Sequence, residues 1–441
     1  MEQRRKNLTQ LFIPICLETL LYMLSGMVDT LMLSSVNDQA VGAVGTANTY
    51  IGIFIIMFSV ISSGMVAVMT QNIGAGRPGV AYQARQLGLT FNAVLGIILS
   101  LILAFGAGTI LAGVGVADAL MQPARTYLQI VGGFCILNAL IPICSSYLRA
   151  FGFSKEPLYA SIIGNVINFC LNAFFLFVLH KGVAGVATAT VISRIINLVI
   201  VVLLGAVLVK AKQHPERESN RAVMGQIIRI GLPSACETAI YNVSMTLVIR
   251  FLNQMDAQGL NVTARSYTMQ ITNFSYCVGA ALAQANAIMT GWHIGAKEYD
   301  ACDRGTKKAA VIGVIVAVIL ETVFTLCSGW IMQLFSKDPQ MVSLVGKLLA
   351  IDIVLEIGRV TNLVYGQALK TSGDAVFPVV MGVCFMMLCS VGGTYLFGIR
   401  LGLLAVGAYI GMAGDECVRA IGMYLRWKSG KWKEKGLVKS R

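Results

Sequence analysis

The sequence predicts an all-α integral membrane protein, with twelve transmembrane helices in two six-helix lobes related by a pseudo-two-fold axis along the membrane normal. Three observations carry this reading. Of the 441 residues, 56% are hydrophobic and 12% are charged, whereas a soluble domain carries about 25% charged residues. The chain divides into twelve apolar runs, each of at least the ~20 residues that a membrane-crossing helix needs. Marked positions in the first half recur in the second half at a nearly constant spacing.

Composition excludes the soluble classes first. A mean hydropathy of +0.74 leaves no polar surface for a soluble enzyme. The formal charge of +13 suggests nucleic-acid binding until its distribution is examined. The first apolar run is long enough to span and has no small-residue cleavage site after it, so it reads as a span and not as a signal peptide. Ten of the eleven cysteines lie inside apolar runs, where a free thiol behaves as a small apolar residue. Cys302 is expected in a polar loop. No Cys/His spacing suits a structural zinc. His180, His214 and His293 all fall in or beside expected loops, which argues against a histidine proton relay or metal site inside the membrane.

The runs lie near 9–34, 46–71, 87–113, 125–150, 157–179, 183–209, 227–251, 265–291, 308–335, 342–370, 375–399 and 402–426. Lys and Arg orient them, because cytoplasmic loops carry an excess of both. With both termini inside, 24 of the 34 lysines and arginines fall on the inner side. The loops 35–45 and 252–264 hold none. This bias explains the net charge and predicts a multi-pass protein of the cell (inner) membrane with cytoplasmic termini. The basic tail, with Trp427 and Trp432, is expected to grip anionic headgroups and not nucleic acid.

The repeat orders the chain further. Pro14, Glu18, Thr19, Tyr22 and Ser25 of the first run match Pro233, Glu237, Thr238, Tyr241 and Ser244 of the seventh, 219 residues on. Ile73-Gly74-Ala75 matches Ile294-Gly295-Ala296, and Leu148-Arg149, Gly152 and Pro157 match Leu369-Lys370, Gly373 and Pro378, all at 221. The expected organisation is an N-lobe over 1–209, a cytoplasmic linker over 210–226, a C-lobe over 227–426 and a basic tail over 427–441. Each unit has an even number of spans, so both enter the membrane the same way. Two such lobes form a transporter plan, although a channel or an intramembrane enzyme could also use twelve helices.

These same residues resemble the multidrug and toxic compound extrusion (MATE) family, in its DinF-like branch. The resemblance runs through Met27-Val28-Asp29-Thr30, Asn72-Ile73-Gly74-Ala75-Gly76, Gly231-Leu232-Pro233 with Glu237, and Leu369-Lys370-Thr371-Ser372-Gly373-Asp374. Each motif is weak alone. Together, in order along essentially the whole chain, they are specific. The resemblance implies export of organic, often cationic, compounds driven by a sodium or proton gradient.

Charges inside a bilayer cost at least about 2.5–3.5 kcal/mol each, so each needs a reason. Asp29 corresponds to Val248 in the repeat, and Asn168 and Asn172 correspond to Cys389 and Gly393. The N-lobe therefore owns a polar cluster. Asn165, Asn168 and Asn172 share one helix face. The family resemblance implies that Asp29, Asn168, Asn172 and Thr190 surround the coupling cation. The second acidic position of the family pattern is here Asn172, which leaves one proton acceptor fewer. An amide oxygen still ligates a hard monovalent cation, and no other metal is expected. The alternative is that the asparagines only hydrogen-bond between helices.

In the C-lobe, Asp352, Glu356, Arg359 and Asn362 share roughly one face of the tenth span. They read either as an ion pair joining helices or as a cavity wall that contacts substrate. Glu18 and Glu237 share a turn with Pro14 and Pro233, which favours a structural role. Glu237 is the stronger functional candidate, because one branch of the family uses a carboxylate there. Asp415, Glu416 and Arg419 suggest a local ion pair with Arg419 snorkelling to the interface. Glu321 and Arg194 have no evident partner.

The glycine-bearing loops lack P-loop or dinucleotide spacing, so no nucleotide is expected. The expected protein is a secondary active antiporter, with no cofactor and with Na+ or H+ as coupling ion. Its partners are a small organic substrate and the lipid bilayer, and it is a monomer by family analogy. The alternatives are a flippase for lipid-linked substrates, which requires a dense cationic cavity, and an intramembrane transferase, which requires a catalytic His or a paired acidic motif.

Overall fold

The computed structural model describes residues 6–438 apart from 36, 114, 115, 117, 211–213, 257, 258 and 334. Arg4, Arg5, Lys212, Lys439 and Arg441, which entered the charge-bias argument, lie outside the described residues. Among the described residues the secondary structure is helical. The helices are α1 (Leu8–Ser34), α2 (Asp38–Gly74), α3 (Pro78–Gly113), α4 (Asp118–Tyr127), α5 (Ile136–Ala150), α6 (Lys155–Ala173), α7 (Gly182–Leu208), α8 (Asn220–Met255), α9 (Leu260–Gly295), α10 (Tyr299–Leu326), α11 (Ser328–Met332), α12 (Pro339–Ser372), α13 (Val376–Phe385) and α14 (Leu404–Lys428).

Short wide-helix turns extend three of these. Leu128–Gly132 joins α4 towards α5, Phe174–Val178 prolongs α6, and Met386–Val391 with Thr394–Arg400 prolongs α13. α4 and α5 form one span bent by 43°. Counting α4 with α5 and α13 with its continuation, and leaving out the single turn of α11, twelve spans result, in the order the hydropathy predicts. Among the described residues, seven helices, or eight with the bent pair, are long and apolar enough to cross a membrane. α8, α9, α12 and α14 are of spanning length but carry more polar residues. A 36-residue helix such as α3, α8 or α9 is about 54 Å long. It therefore continues well past a hydrocarbon core of about 30 Å, which is why the connections at 75–77 and 296–298 are only tight turns. The same extension makes Cys302 a buried residue of α10, not a member of a polar loop.

The contacts divide the chain into two units, 1–232 and 233–441, with the division one residue before Pro233 inside α8. In the first unit, the opening turns of α8 lie directly against α2. A Cβ on Gly64 would meet the Ile227 carbonyl, and one on Gly231 would meet the Val60 carbonyl. The segment before α8 is strapped to α3. Gln83 donates to the Glu218 carbonyl at 2.7 Å and accepts from the Glu218 N–H at 3.0 Å, and Arg77 pairs with Glu218 at 2.6 Å. The apolar core of this unit centres on Phe58, Leu103, Leu128 and Val131.

In the second unit, Leu252, Leu348, Leu349 and Tyr409 form the core. α12 starts at Pro339 behind an Asp338 cap, whose carboxylate accepts the Gln340 N–H at 3.0 Å. It stops at Gly373, whose φ of +99° suits glycine. The start of α9 is tied to Asp256, which accepts from the N–H groups of Leu260 (2.8 Å) and Asn261 (3.0 Å) and from the Asn261 side chain. Burial pushes the Asp256 carboxyl upward, but these donors outweigh it and hold it below the ordinary 3.8.

The tail departs from expectation. Trp427 and Trp432 do not reach outward as membrane anchors. Each is 1% exposed, and their rings stack at 4.2 Å and 8°. Trp427 donates its indole N–H to Asp303 of α10 at 2.9 Å, and Trp432 donates to the Trp427 carbonyl at 2.9 Å. Tyr299 packs edge-on against Trp432. The Lys435 carbonyl occupies the space that a Cβ on Gly373 would need. The indole rings are worth more buried against one another, with both N–H groups bonded, than exposed.

Candidate functional site

The N-lobe polar cluster is built where α1 packs on α6. Asn172 and Asn168 are one turn apart on α6, and both are buried. The Asn172 amide Nδ2 donates to Asp29 Oδ1 at 2.6 Å and to Asn168 Oδ1 at 3.1 Å. One amide therefore sits between two oxygens from different helices, the place a cation would take. Its own Oδ1 is buried without a hydrogen-bond partner. Thr190 of α7 is buried, but its hydroxyl proton goes to the Val186 carbonyl at 2.9 Å, leaving its oxygen as an acceptor. Asn165 is half-buried one turn before Asn168 and takes no part in this set.

Three further groups belong here and were not recognised from the sequence as site residues. Arg194, one turn beyond Thr190, lies within electrostatic reach of Asp29. Tyr127 is buried within reach of both and shares a hydrogen bond with Asn48. The i, i+4 spacing of Thr190 and Arg194 was a usable signal. Tyr127 and Asn48 had none, because they arrive from the bent α4–α5 span and from α2.

In the C-lobe the polar residues form a chain across α12 and α14. Arg359 donates to Glu356 on its own helix, and its Nε lies 3.7 Å from Glu416 Oε1. Asn362 donates to Glu416 Oε2 at 3.0 Å. Arg419 meets Glu416 at 2.8 Å and Asp415 at 2.9 and 3.0 Å, and Ser390 donates to Asp415 at 2.9 Å. Arg419 does not snorkel. It is 3% exposed, because two carboxylates inside the bundle hold its guanidinium.

Asp352 and Glu321 adjoin this chain. Glu321 of α10 is fully buried, with Ser275, Asp352, Glu356 and Arg359 around it. Asp352 Oδ2 and Glu356 Oε2 are buried without donors. Here five carboxylates face the two guanidinium groups of Arg359 and Arg419, an imbalance that suits a proton or a cation and not an anion.

Glu18 and Glu237 are placed elsewhere and alike. Arg149 Nη2 donates to Glu18 Oε2 at 2.5 Å, with Ser161 at 3.4 Å from the other oxygen. Lys370 Nζ lies 2.6 Å from Glu237 Oε2, and Gly382 of α13 leaves room for that carboxylate. The structure thus brings Glu356, Arg359, Asn362 and Asp352 together and pairs Glu237 with Lys370, within electrostatic reach of Arg419. No cluster of three or more His, Cys, Asp or Glu suited to a metal occurs among the described residues.

Comparison with known proteins agrees with this architecture. The MatE family profile matches residues 14–174 and 233–396, one match in each half. The chain is 34% identical over 431 residues to the uncharacterized transporter YisQ of Bacillus subtilis (strain 168), covering 96% of this chain and 94% of that protein. It is 22% identical to the probable multidrug resistance protein NorM of Thermotoga maritima, covering 98% and 94%. Among solved structures, a MATE transporter in the straight conformation superposes with a TM-score of 0.85 at 18% identity, covering 97% of this chain and 96% of that one. The MATE transporter ClbM in complex with Rb+ superposes at 0.84, with 18% identity and coverage of 97% and 96%. The protein is a multi-pass membrane transporter and not an enzyme, and the chain belongs to the MATE family.

Proposed function

We propose that this transporter is a secondary active antiporter that exports organic, cationic or amphipathic compounds on a sodium or proton gradient by alternating access of its two six-helix units. The observation that carries the reading is the Asp29–Asn172–Asn168 hydrogen-bond set joining α1 to α6. A proton or monovalent cation arriving at Asp29 competes directly with the Asn172 amide for the same oxygen. The tie between α1 and α6 loosens or rotates as the ion binds, and α1 shifts. Asn168 and Thr190 offer oxygens to the ion, and Arg194 balances Asp29 when the ion has left. In the C-lobe, Glu356, Arg359 and Asn362, with Asp352, line the polar interior that meets the substrate's charged group. Glu18 and Glu237 act as fixed ties. The protein works as a monomer in the cell (inner) membrane with both termini cytoplasmic, the orientation its basic segments favour. The flippase alternative is weaker, because Arg359 and Arg419 already carry carboxylate partners.

The test is uptake of a fluorescent organic cation into inside-out vesicles under separately imposed sodium and proton gradients, for wild type and Asp29→Asn. Uptake on one gradient, lost in correctly inserted Asp29→Asn, is the expected result. Unchanged uptake in Asp29→Asn would sink the mechanism. No uptake under either gradient would move weight to the flippase.

A further inference from the structure

The basic residues at the end of the C-lobe that carries the C-terminus are not scattered. On α10, the exposed apolar residues Val311, Ile315 and Ile319 form a lipid-facing stripe. Traced backward at helical spacing, that stripe continues into Lys308 and Arg304, both exposed. On α14, the exposed Ile421 and Leu425 lead at the same spacing into Lys428, the last residue of the helix. Both helices therefore carry a lipid-facing stripe straight into positive charge, the depth at which headgroup phosphates lie.

The tail links the two. Trp427 bonds to Asp303 on α10, Trp432 stacks on Trp427, and Tyr299 packs on Trp432. Leu437 is buried beyond them. The buried rings set the short helical turn Lys431–Glu434 as a fixed platform, with Lys431, Lys433 and Lys435 exposed on it. The acidic residues nearby are few. Asp303 is engaged by Lys307 and Trp427, Glu298 by His293 and Asp374 by Arg426, while Asp300 and Glu434 are exposed among six exposed bases.

We propose that Arg304, Lys308, Lys428, Lys431, Lys433 and Lys435 form a built binding site for the anionic headgroups of membrane lipids, held in shape by the Trp427–Trp432 stack. The site rests on the proposed membrane orientation and is independent of the coupling mechanism. It differs from a loose basic tail in one respect: the tryptophans shape the site from inside and do not insert into the bilayer. Spacing along two helices and one platform makes the charges act together on one headgroup region.

The test titrates the purified full chain in neutral detergent with phosphatidylglycerol and, separately, with phosphatidylcholine, and counts bound lipid by native mass spectrometry. Phosphatidylglycerol is expected to bind about tenfold or more tightly than phosphatidylcholine, since several basic groups contribute. Replacing the six basic residues with glutamine should abolish that preference. These side chains are exposed, so the fold is not at risk. Trp432→Ala keeps every charge but unseats the platform, and it should lose most of the preference. Equal binding of the two lipids by wild type, or an undiminished preference in the six-fold variant, overturns the site. A full preference in Trp432→Ala overturns its construction by the tryptophan stack. Because no transport is measured, failure here is distinguishable from failure of the antiport reading.

Discussion

Lys370 lies 2.6 Å from Glu237, and the pair repeats the 2.5 Å contact between Arg149 and Glu18. In each unit a carboxylate one turn past an in-helix proline is tied to a base at the end of the fourth span of that unit, α5 or α12. The same interaction recurs in both units, with Arg in the first and Lys in the second. Both pairs are largely buried, so each side chain depends on its partner.

Glu237→Gln is expected to destabilise the protein by roughly 2–3 kcal/mol, less than a fully buried pair because some solvent reaches both side chains. The exchanged pair Glu237→Lys with Lys370→Glu should recover part of that loss. Thermal unfolding in detergent checks both, and additive losses in the exchanged pair would show that the two residues are not coupled.

Asn172→Ala removes the amide that joins Asp29 to Asn168. Gradient-driven export should fall at least tenfold, with a stability loss of about 1–2 kcal/mol, the cost of one buried hydrogen-bond set. The two are separated by measuring vesicle uptake and unfolding on the same preparation. Full export with the amide gone would remove this residue from the coupling site.

Arg359→Gln leaves Glu356 buried and unpaired and also removes a contact to Glu416. A loss of about 3 kcal/mol is expected, and the double variant Glu356→Gln with Arg359→Gln should lose less than the single one. Equal losses in the two variants would mean that the unpaired Glu356 is not what costs the stability.

Gly373→Ala meets two obstacles, a φ of +99° and the Lys435 carbonyl. It should cost at least ~1 kcal/mol through the left-handed backbone alone. The tail should also release, seen as a red shift of tryptophan emission and faster proteolysis after residue 428. An unchanged emission spectrum would show that the tail does not depend on this close approach.

Asp256 at the start of α9 predicts a pH dependence. Its carboxyl lies below its ordinary value in the folded protein, so the contribution is present above an unfolded value of about 3.9. It is lost as pH falls through the lower folded value. The stability gap between wild type and Asp256→Asn should be constant near neutrality and shrink below about pH 4. A gap that persists unchanged at pH 3 would refute the carboxylate's role.

Much of the fold was legible because the bilayer imposes a length and a polarity on each span. The runs from 9–34 to 402–426 correspond in order to the twelve spans, once α4 and α5 are counted as one and α11 is left out. The N-lobe cluster was legible through asymmetry, since the residue that corresponds to Asp29 in the repeat is Val248, a buried core residue of the C-lobe. Arg194 was visible but unassigned, because the groups it acts on, Asp29 and Tyr127, come from α1 and the α4–α5 span. Glu321 was likewise visible as a charge inside a span, but its partners were not, since they come from α9 and α12.

By itself the sequence determined the class, the twelve spans, the duplication and which residues share a face of one helix. Those follow from hydropathy and from a period of 3.6 residues, which act within a single segment. Tertiary structure alone decided which helix each face meets. Arg419 is buried between Asp415 and Glu416 with Asn362 of α12 bound to the same Glu416, and the two tail tryptophans close on α10. Periodicity fixes where a side chain points but not what waits there, because that partner comes from a span tens to hundreds of residues away.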